Sequence, residues 1–200
     1  MSSHRRLVLA SSSPYRRALL ERVGLDFEVA SPGVDEEALR HLAPEAMVRA
    51  LATAKARAVE AADALVIGSD QALDLDGEVL GKPGTAERAR AQLGRLSGRT
   101  HRLLTAVSVY DTATGALSSA LDVHRMTMRR LSEEQIARYV ALDAPLDCAG
   151  SYALERTGVA LFERVEADPD NADDTAIIGL PMLKLLALLR RLGVDPLGPG

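Results

Sequence analysis

The sequence predicts a mixed α/β (α+β) fold with a central mixed sheet, and three observations support this prediction. The first third of the chain alternates short apolar segments of strand length with helical segments. Residues 64–68 are apolar throughout, which is typical of a central strand that is buried on both faces. The second half contains longer segments of strand length. The 200 residues show no internal repeat and no separating linker, so we expect one domain of two lobes with a cleft between them.

Strand and helix signals alternate through the first half of the chain. Pro14 suits the first position of a helix, and Ser13 is placed to cap the backbone N–H groups that follow it. The Asp76-Gly77 pair predicts a tight hairpin turn. In chain order, the predicted elements are a strand at 7–10, a helix at 14–23, a strand at 27–30, a helix at 46–62, a strand at 64–68, a hairpin over 73–80 and a helix at 85–96.

The second half combines two long strands with further helices. Ser132 and Gln135 have the spacing of a capping box, which marks the start of a helix. Gly193 suits the position just past the end of the last helix. The predicted elements are strands at 101–110 and 117–128, a helix through about residue 142, a strand at 159–165, an acidic loop over 167–174 and a helix at 181–192.

The composition excludes several classes of protein. The formal net charge is −4, whereas a nucleic-acid-binding domain is expected to be broadly basic. Cys148 is the only cysteine, so an internal disulfide framework is excluded and a reducing compartment is favoured. No apolar run approaches the ~20 residues of a membrane span, and the apolar run after Arg6 is too short for a signal peptide. We therefore expect a soluble, cytoplasmic protein that binds neither nucleic acid nor membrane.

Two adjacent arginines in the first turn of the predicted helix indicate an anion site. Positive side chains there oppose the helix dipole, at a cost of roughly 0.3–1 kcal/mol each. An anion held by the serine hydroxyls, the free N–H groups and the guanidiniums of Arg16 and Arg17 would reverse that effect. A phosphate group would suit Ser11, Ser13 and these arginines. The alternative is that both arginines point into solvent.

Asp70 is the first of the other candidate residues. It follows the predicted buried strand, where open α/β sheets place their ligand sites. A carboxylate there can bind a metal or accept a proton from water. An aspartate after a strand can equally be a turn former, and both interpretations stay open.

Three further charged residues could either contact a ligand or simply be solvated charges at the surface. Lys82 lies between glycine and proline in a rigid tip, and Lys55 lies on the helix predicted at 46–62; either can be a phosphate contact or a solvated charge. Glu36 belongs to an acidic cluster that could coordinate Mg²⁺ or Mn²⁺, or simply be a solvated loop.

Several common fingerprints are absent from the sequence. There is no Gly-rich phosphate loop, no dinucleotide-binding glycine motif and no serine-hydrolase elbow. The four histidines show no metal-ligand spacing, and His101 and His124 are interpreted as residues on strand faces.

A set of separate motifs, in a fixed order, carries a family resemblance from about residue 7 to residue 193. These motifs are Leu9-Ala10-Ser11-Ser12-Ser13-Pro14 with Arg16-Arg17, Gly33-Val34-Asp35-Glu36, Ala54-Lys55-Ala56, Gly68-Ser69-Asp70-Gln71, Gly81-Lys82-Pro83, Cys148-Ala149-Gly150-Ser151-Tyr152 and Gly179-Leu180-Pro181. Together they resemble the Maf family of nucleoside triphosphate pyrophosphatases.

The resemblance implies hydrolysis between the α- and β-phosphates of a nucleotide, a two-lobed fold like that of inosine triphosphatases, a divalent metal (Mg²⁺ or Mn²⁺) and a homodimer. It implies that Asp70 is the catalytic residue and that Glu36 and Asp70 bind the metal. It also implies phosphate contacts from Ser11, Ser13, Arg16, Lys55 and Lys82.

Three positions resemble the family branch that acts on 7-methyl-GTP: Tyr15, Gln71 and Glu155. Methylation at N7 makes the purine cationic, and a cation is attracted to an aromatic face such as that of Tyr15. A carboxylate at Glu155 would favour the charged base over neutral guanine.

Two alternatives to this function are open. One is a pyrophosphatase for pyrimidine nucleotides such as dTTP and UTP. The other is a non-enzymatic regulator of septum formation and cell division, a role linked to the family. Asp70 separates the enzyme from the regulator, because a protein that only binds a nucleotide has no need of a carboxylate that repels phosphates.

Overall fold

A computed structural model describes residues 5–167 and 172–198. The strands of this part of the chain are β1 (Arg6–Ala10), β2 (Glu28–Ala30), β3 (Ala64–Leu75), β4 (Glu78–Leu80), β5 (Thr100–Asp111), β6 (Leu117–Met128) and β7 (Phe162–Glu166). The helices are α1 (Pro14–Glu21), α2 (Pro44–Arg57), α3 (Ala86–Leu96), α4 (Glu133–Asp143), α5 (Thr175–Ile178) and α6 (Met182–Arg191). Short 3₁₀ helices lie at Glu37–Leu39, Ala149–Ser151 and Thr157–Leu161.

The strands form one mixed sheet. Its order is β2-β1-β3-β5-β6-β7, and β4 pairs with β3 outside this path. β1 is parallel to both β2 and β3, whereas β4 is antiparallel to β3 and β7 is antiparallel to β6. The predicted mixed α/β fold with a central mixed sheet is confirmed.

The chain divides into two compact units. The first comprises residues 1–70, 105–122 and 173–200, and the second comprises residues 71–104 and 123–172. In the first unit, alternate residues of β1 and β3 belong to separate apolar clusters, as expected when both faces of a strand are covered. Leu9 and Ile67 pack with Leu20 of α1 and Leu185 of α6, while Val8 and Val66 pack in the other cluster.

The local signals at helix starts are confirmed. Ser13 accepts a hydrogen bond from the backbone N–H of Arg16 and caps α1. Thr85 caps α3 in the same way, and Ser132 and Gln135 form the predicted capping box of α4. These signals depend on residues a few positions apart, so sequence alone is enough to identify them.

Three of the predicted elements have clearly different bounds in the structure. α2 begins at Pro44, a good first residue of a helix, and ends at Arg57, five residues earlier than predicted. The strand predicted at 159–165 begins only at Phe162, because the preceding residues form a 3₁₀ helix. The strand at 64–68 does not end before Asp70 but continues to Leu75, where the hairpin to β4 begins.

The longer β3 changes the setting of Asp70. β1 stops pairing with β3 at Ala10, which lies opposite Gly68, so Asp70 lies just past the carboxyl end of the neighbouring strand. The site therefore lies beyond the end of β1, and the interpretation of Asp70 as a turn former is wrong.

The acidic stretch at 167–174 is only partly described, since residues 168–171 lie outside the described residues. Asp173, near the end of this stretch, is buried and accepts hydrogen bonds from the backbone N–H and the hydroxyl of Thr175, the first residue of α5. Among the helices at 5–167 and 172–198, none is long and apolar enough to cross a membrane.

Candidate active site

The close approach of α2 to β3 is the first feature that builds the site. A Cβ at Gly68 would lie 2.2 Å from the carbonyl oxygen of Ala52 and 2.5 Å from the backbone nitrogen of Ala56. Only glycine allows the helix backbone to come so near the strand. This contact brings Lys55, on the same turn of α2, to the part of β3 that carries Asp70.

Lys55 lies between two carboxylates. Its ammonium nitrogen is 2.6 Å from Oδ1 of Asp70 and 2.6 Å from Oε1 of Glu36. The Lys55 and Asp70 side chains are each 9% exposed, whereas the Glu36 side chain is 55% exposed. The structure thus joins three predicted site residues, with the charge of Lys55 buried and that of Glu36 facing outward.

Burial and charge act in opposite directions on Asp70. Burial raises the pKa of its carboxyl group above the usual value, while the nearby charges of Lys55 and Arg16 partly offset that rise. Glu36 adds a smaller effect that raises the pKa further. A carboxylate with a raised pKa is a stronger proton acceptor than an exposed aspartate.

Arg16 is held from two sides at the start of α1. Its Nε donates to the carbonyl oxygen of Gly179 at 2.8 Å, and its Nη1 donates to Oγ of Ser11 at 3.3 Å. Burial lowers the pKa of the guanidinium, and the carboxylates of Asp70 and Glu36 act against that shift. The side chain therefore lies in the electric field of the same two carboxylates that contact Lys55.

The Ser11 hydroxyl is oriented by its partners. Its oxygen accepts from the backbone N–H of Ser13 at 3.2 Å and from Arg16. A hydroxyl oxygen has two acceptor positions and one hydrogen to donate. Because both acceptor positions are used, the Ser11 hydrogen is left to donate to an added ligand. Together with Nη2 of Arg16, for which residues 5–167 and 172–198 supply no hydrogen-bond partner, it forms a set of donors that suits an anion.

Arg17 does not share this site. Its Nε donates to Glu21 at 2.8 Å, one turn along α1, and its side chain is exposed. The predicted anion site with two arginines therefore has one arginine, Arg16, and the solvent-facing alternative holds for Arg17 only. Tyr15 lies between Pro14 and Arg16 and is half-buried.

Sequence reasoning gave no role to the residues that fix Arg16 in place, although Ser69 and Gly179 both lie within motifs that carry the family resemblance. The carbonyl oxygen of Gly179 accepts from Arg16 and also from the buried hydroxyl of Ser69, at 3.1 Å. Gly179 has φ 129°, a conformation that favours glycine. Asp173 supports the same segment, because its carboxylate accepts from the hydroxyl of Thr175 and, at 2.7 Å, from the backbone N–H of Leu183. Local patterns give no sign of contacts between residues so far apart in sequence.

The remaining predicted site residues belong to the second unit. Lys82 is exposed in the loop between β4 and α3, and Gln71 is half-buried on β3. The Lys82 loop is anchored by Gln92, whose side-chain amide donates to the carbonyl oxygen of Gly81 at 3.1 Å. Glu155 is exposed on the loop before the 3₁₀ helix at Thr157–Leu161. Their contacts with a nucleotide stay predictions.

The donors available for a divalent metal are two carboxylates. Within residues 5–167 and 172–198, no three His, Cys, Asp or Glu side chains lie close enough to hold a metal ion together. Glu36 and Asp70 nevertheless present oxygens to one shared cation, the Lys55 ammonium. Mg²⁺ commonly binds one or two carboxylates together with substrate phosphates, so this pair fits such an ion.

Known proteins resemble this chain both in sequence and in fold. The family described as "Maf-like protein" matches residues 6–192. Relatives that carry the name 7-methyl-GTP pyrophosphatase include the following three proteins. The protein of Xanthomonas campestris pv. campestris is 48% identical, with 94% of this chain and 96% of its own covered. That of Cupriavidus pinatubonensis is 46% identical, with 94% of both chains covered. That of Chromohalobacter salexigens is 45% identical, with 96% of this chain and 99% of its own covered.

A solved structure extends the likeness of the fold. A HAM1 protein from Coxiella burnetii superimposes with a TM-score of 0.53 at 15% identity, with 94% of this chain and all of that chain covered. At this identity the similarity concerns the fold alone. The family match spans almost the whole sequence, and its relatives are aligned over nearly their full lengths. This chain belongs to the Maf family.

Proposed function

We propose that this chain hydrolyses the bond between the α- and β-phosphates of a nucleoside triphosphate and that 7-methyl-GTP is its preferred substrate. The products are a nucleoside monophosphate and pyrophosphate. The observation that carries the proposal is the buried Asp70 carboxylate, which lies 2.6 Å from the Lys55 ammonium. The relatives named 7-methyl-GTP pyrophosphatase support the choice of substrate.

The phosphates are proposed to bind at the start of α1. Ser11 and Arg16 have donors left over after their contacts within the protein, and the helix N-terminus adds positive potential. Ser13 caps the helix and fixes the direction of its first N–H groups. Lys82 is proposed to neutralise charge on the departing pyrophosphate.

Asp70 is proposed to accept a proton from the attacking water. Its raised pKa strengthens it as a base, and Lys55 keeps the carboxylate ionised and fixes one of its oxygens. Arg16 contributes positive charge beside the same carboxylate, which reduces the repulsion between Asp70 and the phosphates.

Glu36 and Asp70 are the residues proposed to hold Mg²⁺ or Mn²⁺. A bound divalent ion would neutralise phosphate charge as a Lewis acid. The protein's own part is to present two carboxylate oxygens, with Lys55 as their counter-ion.

Base selection is proposed to rest on Tyr15, Gln71 and Glu155. Tyr15 is half-buried and immediately precedes Arg16 in the chain. We propose that the base beside the bound phosphates stacks on its ring. A positively charged base stacks well on such a face and is favoured by a nearby carboxylate such as Glu155.

A panel of nucleotides tests the proposed function. Pyrophosphate release from 7-methyl-GTP, GTP, dTTP and UTP is measured with and without Mg²⁺ or Mn²⁺, and orthophosphate is assayed in parallel. We expect pyrophosphate as the product and the highest kcat/KM with 7-methyl-GTP in the presence of metal. A preference for dTTP or UTP would support the pyrimidine alternative. Nucleotide binding without hydrolysis would support the regulator.

Two substitutions test how the base is chosen. Because a cation–π contact contributes about 0.5–2 kcal/mol, Tyr15→Ala should lower kcat/KM for 7-methyl-GTP by about two-fold to thirty-fold and affect neutral GTP less. Glu155→Gln should act in the same direction, with Glu163→Gln, an exposed glutamate of β7, as its control. Equal losses for both nucleotides would show that these residues do not sense the charge of the base.

A homodimer in the cytoplasm is part of the same proposal and rests on family resemblance. Light scattering at micromolar concentration tests the oligomeric state, and a monomer would contradict the dimer.

A further inference from the structure

The loop that carries Glu155 is fixed to α4 on both sides of that residue. On one side, the backbone N–H of Ala153 donates to the phenol oxygen of Tyr139 at 3.0 Å. On the other side, the Thr157 hydroxyl donates to Oδ1 of Asp143 at 2.6 Å. Arg156 adds a third contact, with Nη1 donating to the carbonyl oxygen of Asp143 at 3.1 Å.

The loop is also closed on itself. The backbone N–H of Arg156 donates to the carbonyl oxygen of Ala153 at 3.2 Å. A Cβ at Gly158 would lie 2.3 Å from that same carbonyl oxygen, so the chain returns close to its starting point. Glu155 lies at the exposed tip of this short, fixed turn. An exposed glutamate normally samples many positions, but here its backbone is held in one place.

Burial of the Asp143 carboxylate is unfavourable for the stability of the fold. Its side chain is largely inaccessible, and its Oδ2 has no hydrogen-bond partner among the described residues. A buried carboxylate oxygen without a partner lowers the free energy of unfolding. Oδ1 and the backbone carbonyl oxygen of Asp143 both accept hydrogen bonds from the Glu155 loop.

Tyr139 can hold its contact over a wide pH range. Burial, with a smaller contribution from the charge of Asp143, raises the pKa of its phenol. The hydroxyl group therefore stays neutral, and its oxygen remains an acceptor for the N–H of Ala153 in any ordinary assay buffer.

We propose that Asp143, with Tyr139 and Thr157, is a positioning residue for base selection: it holds the Glu155 carboxylate where the base of the nucleotide binds. Asp143 does not touch the substrate and acts through the loop. This inference rests on the proposed function, because it assumes that Glu155 distinguishes a charged base from a neutral one.

Thr157 offers the cleanest test. Thr157→Val removes the hydroxyl that contacts Asp143 and keeps the shape of the side chain, while Thr157→Ser keeps the hydroxyl. The readout is the ratio of kcat/KM for 7-methyl-GTP to kcat/KM for GTP. We expect Thr157→Val to lower this ratio by about two- to five-fold, the range expected for a displaced exposed charge, through a higher KM for 7-methyl-GTP. Thr157→Ser should restore it, and Thr127→Val, a matched change in the β-sheet of the same unit, should leave it unchanged.

A double-mutant cycle separates positioning from general stability. If Thr157 acts through Glu155, the double variant Glu155→Gln/Thr157→Val has the same ratio as Glu155→Gln alone. Independent, multiplicative losses would overturn the inference, as would an unchanged ratio in Thr157→Val. Tyr139→Phe provides a second variant with the same expected result, and thermal melting shows whether each protein is folded.

The failure of this inference differs from the failure of the proposed function. If Glu155→Gln leaves the ratio unchanged, Glu155 does not select the base, and both the proposed base selection and the positioning role are wrong. If Glu155→Gln lowers the ratio while Thr157→Val and Tyr139→Phe do not, only the positioning role is wrong.

Discussion

The ammonium of Lys55 lies 2.6 Å from a carboxylate oxygen of Asp70, and both side chains are nearly buried. Such a pair is costly to desolvate, so it contributes less to stability than its short distance suggests. Its partners lie on α2 and β3, and Gly68 permits the contact between these two elements. The pair therefore depends on packing that can be changed without touching either charge.

Gly68→Ala should disrupt the site through packing alone. The added Cβ would meet backbone atoms of Ala52 and Ala56, which move only if α2 moves. We expect the free energy of unfolding to fall by about 1–3 kcal/mol, as in overpacked cores, and kcat/KM to fall as Lys55 leaves Asp70. Urea unfolding and pyrophosphate assays measure the two effects.

Gly94→Ala is the control for this prediction. Gly94 lies in α3 with open space around an added Cβ, so the free energy of unfolding should rise by up to about 1 kcal/mol. Equal behaviour of the two variants would contradict the packing argument.

Lys55→Met should increase metal affinity in the absence of nucleotide. The ammonium and a divalent cation compete for the carboxylates of Glu36 and Asp70, so removal of the ammonium favours the ion. Two like unit charges about 4 Å apart repel each other by about 1–4 kcal/mol at a protein surface. Removal of the Lys55 ammonium should therefore increase the affinity for Mn²⁺ by at least about ten-fold. Titration with Mn²⁺, followed by the EPR signal of the free ion, measures it.

Lys184→Met is the control for that titration, because Lys184 pairs with buried Asp122 in the same unit. Its Mn²⁺ affinity should equal that of the wild type. Unchanged or weaker Mn²⁺ binding in Lys55→Met would show that Glu36 and Asp70 do not bind the ion.

Arg16→Gln should weaken every nucleoside triphosphate by a similar factor. A hydrogen bond to a charged group contributes about 1.5–3 kcal/mol, which predicts a loss of at least about ten-fold in kcat/KM. Arg17→Gln removes the neighbouring arginine, which is paired with Glu21, and should change kcat/KM by less than about two-fold. If Arg16→Gln alters the ranking of the bases, Arg16 contacts the base as well as the phosphates.

His101 should make stability depend on pH. The side chain is 2% exposed, its Nε2 pairs with the Tyr152 hydroxyl at 3.0 Å, and its Nδ1 has no partner among the described residues. Burial lowers the pKa of the imidazole to about 4. The unfolded chain therefore binds more protons between about pH 6.5 and pH 4, so stability is lost as pH falls through this window.

The size of this effect follows from the shift in pKa. A difference of about 2.5 pH units corresponds to about 3 kcal/mol of unfolding free energy at the acid end. His101→Gln keeps a hydrogen-bonding group for Tyr152 and removes the titration. Urea unfolding at several pH values should show a smaller loss in the variant. Parallel curves for both proteins would contradict the assignment.

The features predicted correctly from the sequence depend on nearby residues. The caps at Ser13 and Ser132, the Asp76-Gly77 hairpin and the buried strand at 64–68 are all local patterns. The prediction that the strand ends before Asp70 was wrong, because glycine and serine are common at the ends of strands and were interpreted in that way. In the structure, Gly68 is instead explained by its contact with α2, some 12–16 residues earlier in the chain.

In the candidate site, too, the contacts between residues far apart in the chain could not be predicted from the sequence. The motifs point to Ser11, Arg16, Lys55 and Asp70, but only the structure shows how they are joined. The carbonyl of Gly179 holds Arg16 from 163 residues away, and Asp143 holds the Glu155 loop from another element. Such contacts depend on how the elements pack, and no spacing within the sequence encodes them.

The most direct test of the account is the effect of Asp70→Asn on turnover and on binding of 7-methyl-GTP. Loss of the base should lower kcat by about a hundred-fold or more, while the Kd for the nucleotide, measured without divalent metal, stays the same or decreases because a repelling charge is removed. Asp122→Asn, the matched change in the buried pair with Lys184, should retain turnover if it folds. A correctly folded Asp70→Asn protein that releases pyrophosphate from 7-methyl-GTP at nearly the wild-type rate would contradict the account.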